Sequence, residues 1–316
     1  MKKATLFVEY QPYKSNQIFG DKNGFVLLKQ KLEQLGINIS TQDINNENDS
    51  IFVIYFDAIP KKINNKNSYL ILLESKSIKP NNWEINRHHN FKKIFTWSND
   101  LVDNDRYVKI NFFNDLKILS KVKLKSKNLV QISANKFSIS KNQLYFERKK
   151  IIKWHEKNDY EFEFFGYDWD IYLSGNRGLD FFLKKIRTPS NYKNYRGFVK
   201  DKFQVLNNYN FSYCLENFDN HNGYITEKII DCFKTLTIPI YKGHKGNYLE
   251  FPRDTFILYD DFESLEDLNQ HIINLSKSQI LQYQKNIEKF MTSTKSIKFS
   301  NEFFVNQLIK NIEFTY

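Results

Sequence analysis

Three short stretches of this chain place charge where it could do chemistry. In "YNFSYCLENFDNHNGYITEKIIDCF" the apolar run Tyr209 to Leu215 gives way to a polar loop containing Gly223, and Thr226, Glu227 and Lys228 then open a second apolar-periodic segment. Thr226 suits a helix N-cap, with Ile229, Ile230 and Phe233 on the packed side. The free N–H groups and dipole of such a helix suit a phosphate, and Lys228 adds a full positive charge in the same turn. Glu227 is suited to accept hydrogen bonds from a ribose or sugar hydroxyl. The spacing equally allows a Glu227 that only complements the helix dipole and a Lys228 that is solvated. In "NQLYFERKKIIKWHEK", Arg148 lies four residues after Leu144 and four before Ile152, hence on the packed side of a helix. A guanidinium there needs an anionic partner, a structural carboxylate among the possibilities. Glu74, in "YLILLESKSIKPNNW", directly follows an apolar strand and so stands at the rim of a ligand crevice; a helix cap or a surface charge fits the position too.

The elements that must position these residues read as two α/β series. "ATLFVEY", "GFVLLKQKLEQLG", "IFVIYF", "SYLILLE" and "KKIFTWS" interleave strands with one amphipathic helix, which predicts a parallel sheet with its crevice beyond the carboxyl ends of the strands. A second series runs from Gln143 through the strands "EFEFFGYDWD", "YNFSYCLE" and "TIPIYKG", and the remainder is helical by its i, i+3, i+4 apolar spacing. The expected domains are 1–130 and 131–316, with a helical tail on the second and a ligand held in the cleft between them.

At 316 residues the chain exceeds what one core usually supports, and 41% apolar and 16% aromatic content exclude a disordered chain. The balance of 47 Lys and Arg over 36 Asp and Glu, a net +11, suggests an anionic partner such as a nucleotide, an acidic glycan or a lipid surface. The basic residues are spread along the chain instead of forming a compact arm, which argues against nucleic acid. The opening "MKKATLFVEYQPYKSNQ" lacks a signal-peptide apolar run, and nothing approaches the ~18 apolar residues of a membrane span, so a cytoplasmic protein is expected, with peripheral contact at a membrane face left open. Cys214 and Cys232, both in apolar patterns, are expected to be buried free thiols. "YDWD" mimics an Asp-x-Asp metal motif, and Arg87, His88 and His89 stand without further clustered ligands; neither is taken as a metal site, and no metal or other cofactor is expected. His221 is read as a surface residue.

The run "FSYCLEN…GYITEKIIDCF…TIPIYKG" resembles the donor-binding signature of the bacterial α1,3-fucosyltransferases of glycosyltransferase family 10, whose members carry an EN…GY[IV]TEKI…PIY.G pattern. "NYLEFPRDTFILYDDFESLEDL" resembles the family's continuation, and the likeness covers most of residues 143–275. It implies a GT-B fold, two facing Rossmann-like α/β domains with a helical C-terminal tail. It implies that Asn217, Tyr224, Thr226, Glu227 and Lys228 hold GDP-fucose, with Arg148 on the pyrophosphate, and that Glu74 in the acceptor domain is the catalytic base. "ESKSIKPNNW" departs from the shorter Glu-Ser-Pro form of many members. The implied activity is inverting, metal-independent transfer of L-fucose to an acceptor glycan, α1,3 to an N-acetylglucosamine-containing chain in surface polysaccharide synthesis. Another GDP-deoxyhexose as donor is the alternative, and a nucleic-acid-binding protein the remote one.

Overall fold

Short runs rich in Ile, Val, Leu, Tyr and Phe, buried on both sides, form the strands of two sheets in which every pairing is parallel. The computed structural model describes residues 1–20, 23–138, 140–174, 177–186 and 189–314. The first unit comprises residues 1–116, 221–227 and 294–316, and the second comprises 117–220 and 228–293.

The first sheet contains β1 (Lys2–Val8), β2 (Ile37–Thr41), β3 (Val53–Phe56), β4 (Ser68–Leu72), β5 (Lys93–Thr96) and β6 (Tyr107–Lys109), in the order 2-1-3-4-5-6. Strand order reverses at β1, so the crevice of this unit lies past the carboxyl ends of β1 and β3. Helix α1 (Gly24–Gln34) starts on Asn23, whose side chain accepts from the N–H groups of Phe25 and Val26, and buries Phe25, Leu28 and Leu32 against the sheet.

The second sheet contains β7 (Lys127–Ile132), β8 (Glu163–Phe165), β9 (Tyr209–Leu215), β10 (Ile238–Lys242) and β11 (Ile257–Leu258), ordered 11-10-9-7-8. Its reversal falls between β7 and β9. The helices of this unit are α2 (Tyr145–Lys157), α3 (Arg177–Ile186), α4 (Lys202–Leu206), α5 (Glu227–Lys234), α6 (Leu265–Asn274) and α7 (Lys277–Met291), α5 having its first residue in the first unit.

The expected division at residue 130 differs from the structure at both ends. "KNLVQI" is β7, the strand joining β8 to β9, so the second unit begins near Lys117. The tail divides: α6 and α7 stay with the second unit, whereas α8 (Asn301–Asn311) returns to the first. The reason is apolar. Phe304, Val305 and Leu308 are fully buried in the first core, and the Phe304 ring stacks on Phe113 with centroids 4.1 Å apart. Burial of side chains of this size contributes roughly 1.5–3 kcal/mol each.

Candidate active site

In the second unit the charged candidates converge on the residues that leave β9. Arg148, buried on α2, donates Nη2 to the carbonyl oxygens of Leu215 (2.6 Å) and Glu216 (3.0 Å) and to Asn217 Oδ1 (3.1 Å). Its guanidinium therefore fixes the turn where the strand ends. Lys228 Nζ in the first turn of α5 lies 3.1 Å from Glu216 Oε2, whose side chain is wholly enclosed. The Tyr241 hydroxyl on β10 approaches the other carboxylate oxygen at 3.4 Å. Arginine, lysine and Asn217 thus assemble around the carboxyl end of β9, beside the order reversal where parallel sheets hold ligands. The arrangement puts two cations and the enclosed Glu216 carboxylate at one strand end, a net positive charge that can offset part of the charge of a phosphate group. Glu216, the glutamate that ends this apolar run and opens the "EN" of the signature, was given no role from sequence.

The first unit has its own acidic pair. Glu74 follows β4 by two residues and is half-buried; its carboxylate makes no hydrogen bond or ion pair among the described residues. Its backbone is held firmly. Asp57 Oδ1 accepts from Leu73 N (2.9 Å) and Glu74 N (3.0 Å), and Trp83 Nε1 donates to the Glu74 carbonyl oxygen at 3.0 Å. Asp57 directly follows β3, sits at φ 46°, a left-handed conformation that aspartate tolerates better than most residues, and is almost completely buried. Burial pushes its carboxyl up to about 7, the two backbone N–H bonds pull it down, and the Glu74 charge raises it again. Lys79 binds the Asp57 carbonyl oxygen at 2.6 Å. A cavity of about 450 Å³ at the same end of the sheet is lined by Tyr13, Phe25, Phe56 and Phe113. Tyr13 has its hydroxyl pKa raised by burial and then by Tyr10, Glu74 and Asp57. Half-buried, unpaired and held by its backbone, Glu74 is able to take a proton from a neighbouring hydroxyl.

The loop carrying Tyr224, Thr226 and Glu227 belongs to the first unit, although β9 before it and most of α5 after it belong to the second. Tyr224 is buried, its ring edge-on to Trp97 (5.0 Å) and Phe112 (5.7 Å), and Trp97 Nε1 donates to the Leu73 carbonyl oxygen at 2.8 Å. Trp97 therefore links this loop to the backbone just before Glu74. Gly223 has φ 90°, and a Cβ there would stand 2.3 Å from the Trp97 carbonyl oxygen, so the approach requires glycine. Thr226 immediately precedes α5 and is buried; Glu227, its first residue, is partly exposed. His221, read as surface, is half-buried with its ring 5.8 Å from that of Trp97.

"YDWD" forms a turn whose Trp169 is buried and donates Nε1 to the Ser133 carbonyl oxygen at 2.6 Å. Among the described residues no three His, Cys, Asp or Glu side chains group as metal ligands. His88 is buried and engages Tyr107 and the Asn82 carbonyl oxygen. Cys214 and Cys232 are buried and free, as expected.

Comparison with known proteins gives a consistent result. Residues 187–308 match the model described as "Glycosyltransferase family 10 (fucosyltransferase) C-term". The chain is 38% identical over 74 residues to the alpha-(1,3)-fucosyltransferase FucT of Helicobacter pylori, a match covering 23% of this chain and 15% of that enzyme. A crystal structure of an alpha1,3-fucosyltransferase with GDP-fucose superposes with a TM-score of 0.56 at 16% identity, covering 100% of this chain and 91% of the other. An alpha-glucosyltransferase in complex with UDP and DNA superposes with a TM-score of 0.61 at 8% identity, covering 98% of both chains. At those identities the structural likeness establishes the fold: two parallel-sheet α/β units of the GT-B class.

Proposed function

From the match of residues 187–308 to the family 10 glycosyltransferase model, we propose an inverting fucosyltransferase that uses GDP-β-L-fucose and a glycan acceptor. The observation that carries this reading is that Arg148 on α2 and Lys228 on α5 both engage Glu216 at the end of β9, Lys228 and Glu216 lying inside the matched segment. In this reading Arg148 and Lys228 offset the charge that grows on the departing diphosphate, and Asn217, Tyr224, Thr226 and Glu227 complete the donor site. Glu74 takes the proton of an acceptor hydroxyl. The freed oxygen forms a bond to the anomeric carbon, the carbon–phosphate-oxygen bond breaks, and GDP leaves with the electron pair; attack opposite the leaving group inverts β to α. The developing charges are met by protein cations, so the reaction needs no metal.

The acceptor is an N-acetylglucosamine-containing chain of a surface polysaccharide, fucosylated in α1,3 linkage, and the enzyme works in the cytoplasm with peripheral contact at the inner membrane face. Among the described residues no helix is long and apolar enough to cross a membrane. The test is incubation of the whole chain with GDP-fucose and a glycan array, following GDP release and product mass. Fucosylated product with an α linkage supports the reading. Transfer only from another GDP-deoxyhexose rejects fucose as donor, and GDP-fucose left intact with every acceptor rejects the activity.

A further inference from the structure

Helix α3, "RGLDFFLKKI", carries the strongest amphipathic pattern among the helices of the second unit, yet its apolar stripe is turned to solvent. Leu179, Phe182 and Ile186 recur at i, i+3 and i+7, and all three are exposed, Phe182 by 56%. Phe181, one residue before Phe182 and off the stripe, is 77% exposed. Among the described side chains of the helix the buried one is Asp180, whose carboxylate accepts from the backbone N–H and hydroxyl of Ser174 at 2.7 and 2.8 Å. A globular helix normally does the reverse, burying its stripe and exposing its acid. Large apolar side chains grouped in this way mark a surface that something else covers.

The adjoining surface says what. Tyr172, Leu173 and Ser174, which lead into α3, form one wall of a groove of about 540 Å³, and the other wall is the outer face of α2. Lys149, Lys150, Lys153 and Lys157 line that face. Lys150 pairs with Glu147, while Lys149, Lys153 and Lys157 make no ion pair among the described residues. Exposed Phe and Leu on an amphipathic helix, joined through Ser174 to a groove that carries Lys153 and Lys157 with exposed Phe146 and Tyr172, are the features with which a protein lies on an anionic bilayer. A protein partner would have to supply both an apolar pocket and an acidic rim of matching shape, whereas an anionic lipid surface supplies both without shape matching.

We infer that the α3 stripe and the lysine face of α2 form a docking surface for an anionic lipid membrane, the rings entering the headgroup boundary and the lysines meeting lipid phosphates. The inference deepens the membrane contact of the proposed function by naming its surface, and it stands or falls separately from the donor chemistry. The test is sedimentation of the whole chain with vesicles of phosphatidylcholine alone or mixed with phosphatidylglycerol. Binding to the mixed vesicles should exceed binding to neutral ones by at least tenfold, since each lysine near the surface contributes about fivefold. Phe181→Ser combined with Phe182→Ser should abolish it, and Lys153→Glu combined with Lys157→Glu should reduce it at least tenfold, both variants keeping wild-type GDP affinity. Equal binding to both vesicle types, or retention by both variants, overturns the inference. So does light scattering that shows a dimer dissolved by the Phe181→Ser, Phe182→Ser change, since the stripe would then be an interface between copies.

Discussion

Replacing Asp57 by asparagine isolates the one carboxyl that folding forces out of water beside Glu74. The folded protein raises its pKa from 3.8 to about 7, with burial as the main cause. A raised acid pKa means that the folded state holds the proton more tightly than the unfolded chain. Its contribution is therefore fully present below the unfolded pKa and is lost as pH climbs through the folded value. Between about pH 4 and pH 7 the loss runs at ~1.36 kcal/mol per pH unit, about 4 kcal/mol in all. Asparagine carries no charge at any of these pH values, and its Oδ1 can keep the bonds from Leu73 N and Glu74 N, which measure 2.9 and 3.0 Å. Relative to the variant, the wild type should thus lose about 4 kcal/mol of stability on going from pH 4 to pH 8. Urea unfolding at a series of pH values, followed by tryptophan fluorescence, measures the difference, because Trp97 is bonded to the Leu73 carbonyl oxygen and lies in this unit. Titrating groups distant from Asp57 cancel in the subtraction, whereas Glu74 and Lys79, coupled to it, contribute to the measured difference. A difference that stays flat across the range, or a variant that weakens relative to wild type as pH rises, refutes the assignment of a proton-holding Asp57.

Glu74→Gln should lower turnover by ~10²–10⁴-fold, the usual cost of losing a general base, and leave GDP affinity near wild type; turnover within threefold of wild type sinks the base assignment. Lys228→Ala should weaken GDP binding by roughly 1.5–3 kcal/mol and also destabilise the fold by about 3–5 kcal/mol, because the enclosed Glu216 loses its ammonium partner. Adding Glu216→Gln should restore most of the stability and none of the GDP affinity, and calorimetry that finds unchanged affinity in both variants removes Lys228 from the donor site. Excess EDTA should leave turnover unchanged; activity that vanished and returned with manganese would promote Asp168 and Asp170 to ligands.

Both sheets could be read from the sequence wherever a strand was a continuous apolar run. "IFVIYF", "SYLILLE", "YNFSYCLE" and "TIPIYKG" all lie where they were expected. The strands "INIST", "YVK" and "KNLVQI" were missed because polar residues interrupt them and their place is set by pairing with β1, β5 and β9. Missing β7 is what moved the domain boundary to 130. Asp57 was within reach of the rule that picked out Glu74, an acid directly following a buried strand, but its hold on the Glu74 backbone depends on β3 and β4 being neighbours. The family resemblance implied a donor contact for Tyr224, while its burial against Trp97 follows from a long-range approach that only Gly223 hints at.

The return of α8 to the first core has a consequence for biosynthesis. A ribosome releases the six strands of the first sheet early, but Phe25 and Phe113 must wait for Phe304 until the whole of the second unit has been made. At roughly 5–20 residues per second the delay is on the order of ten seconds or more. Throughout that interval the nascent sheet exposes an aromatic face that chaperones can bind, and the half of the molecule that is translated first is the half that can finish folding last.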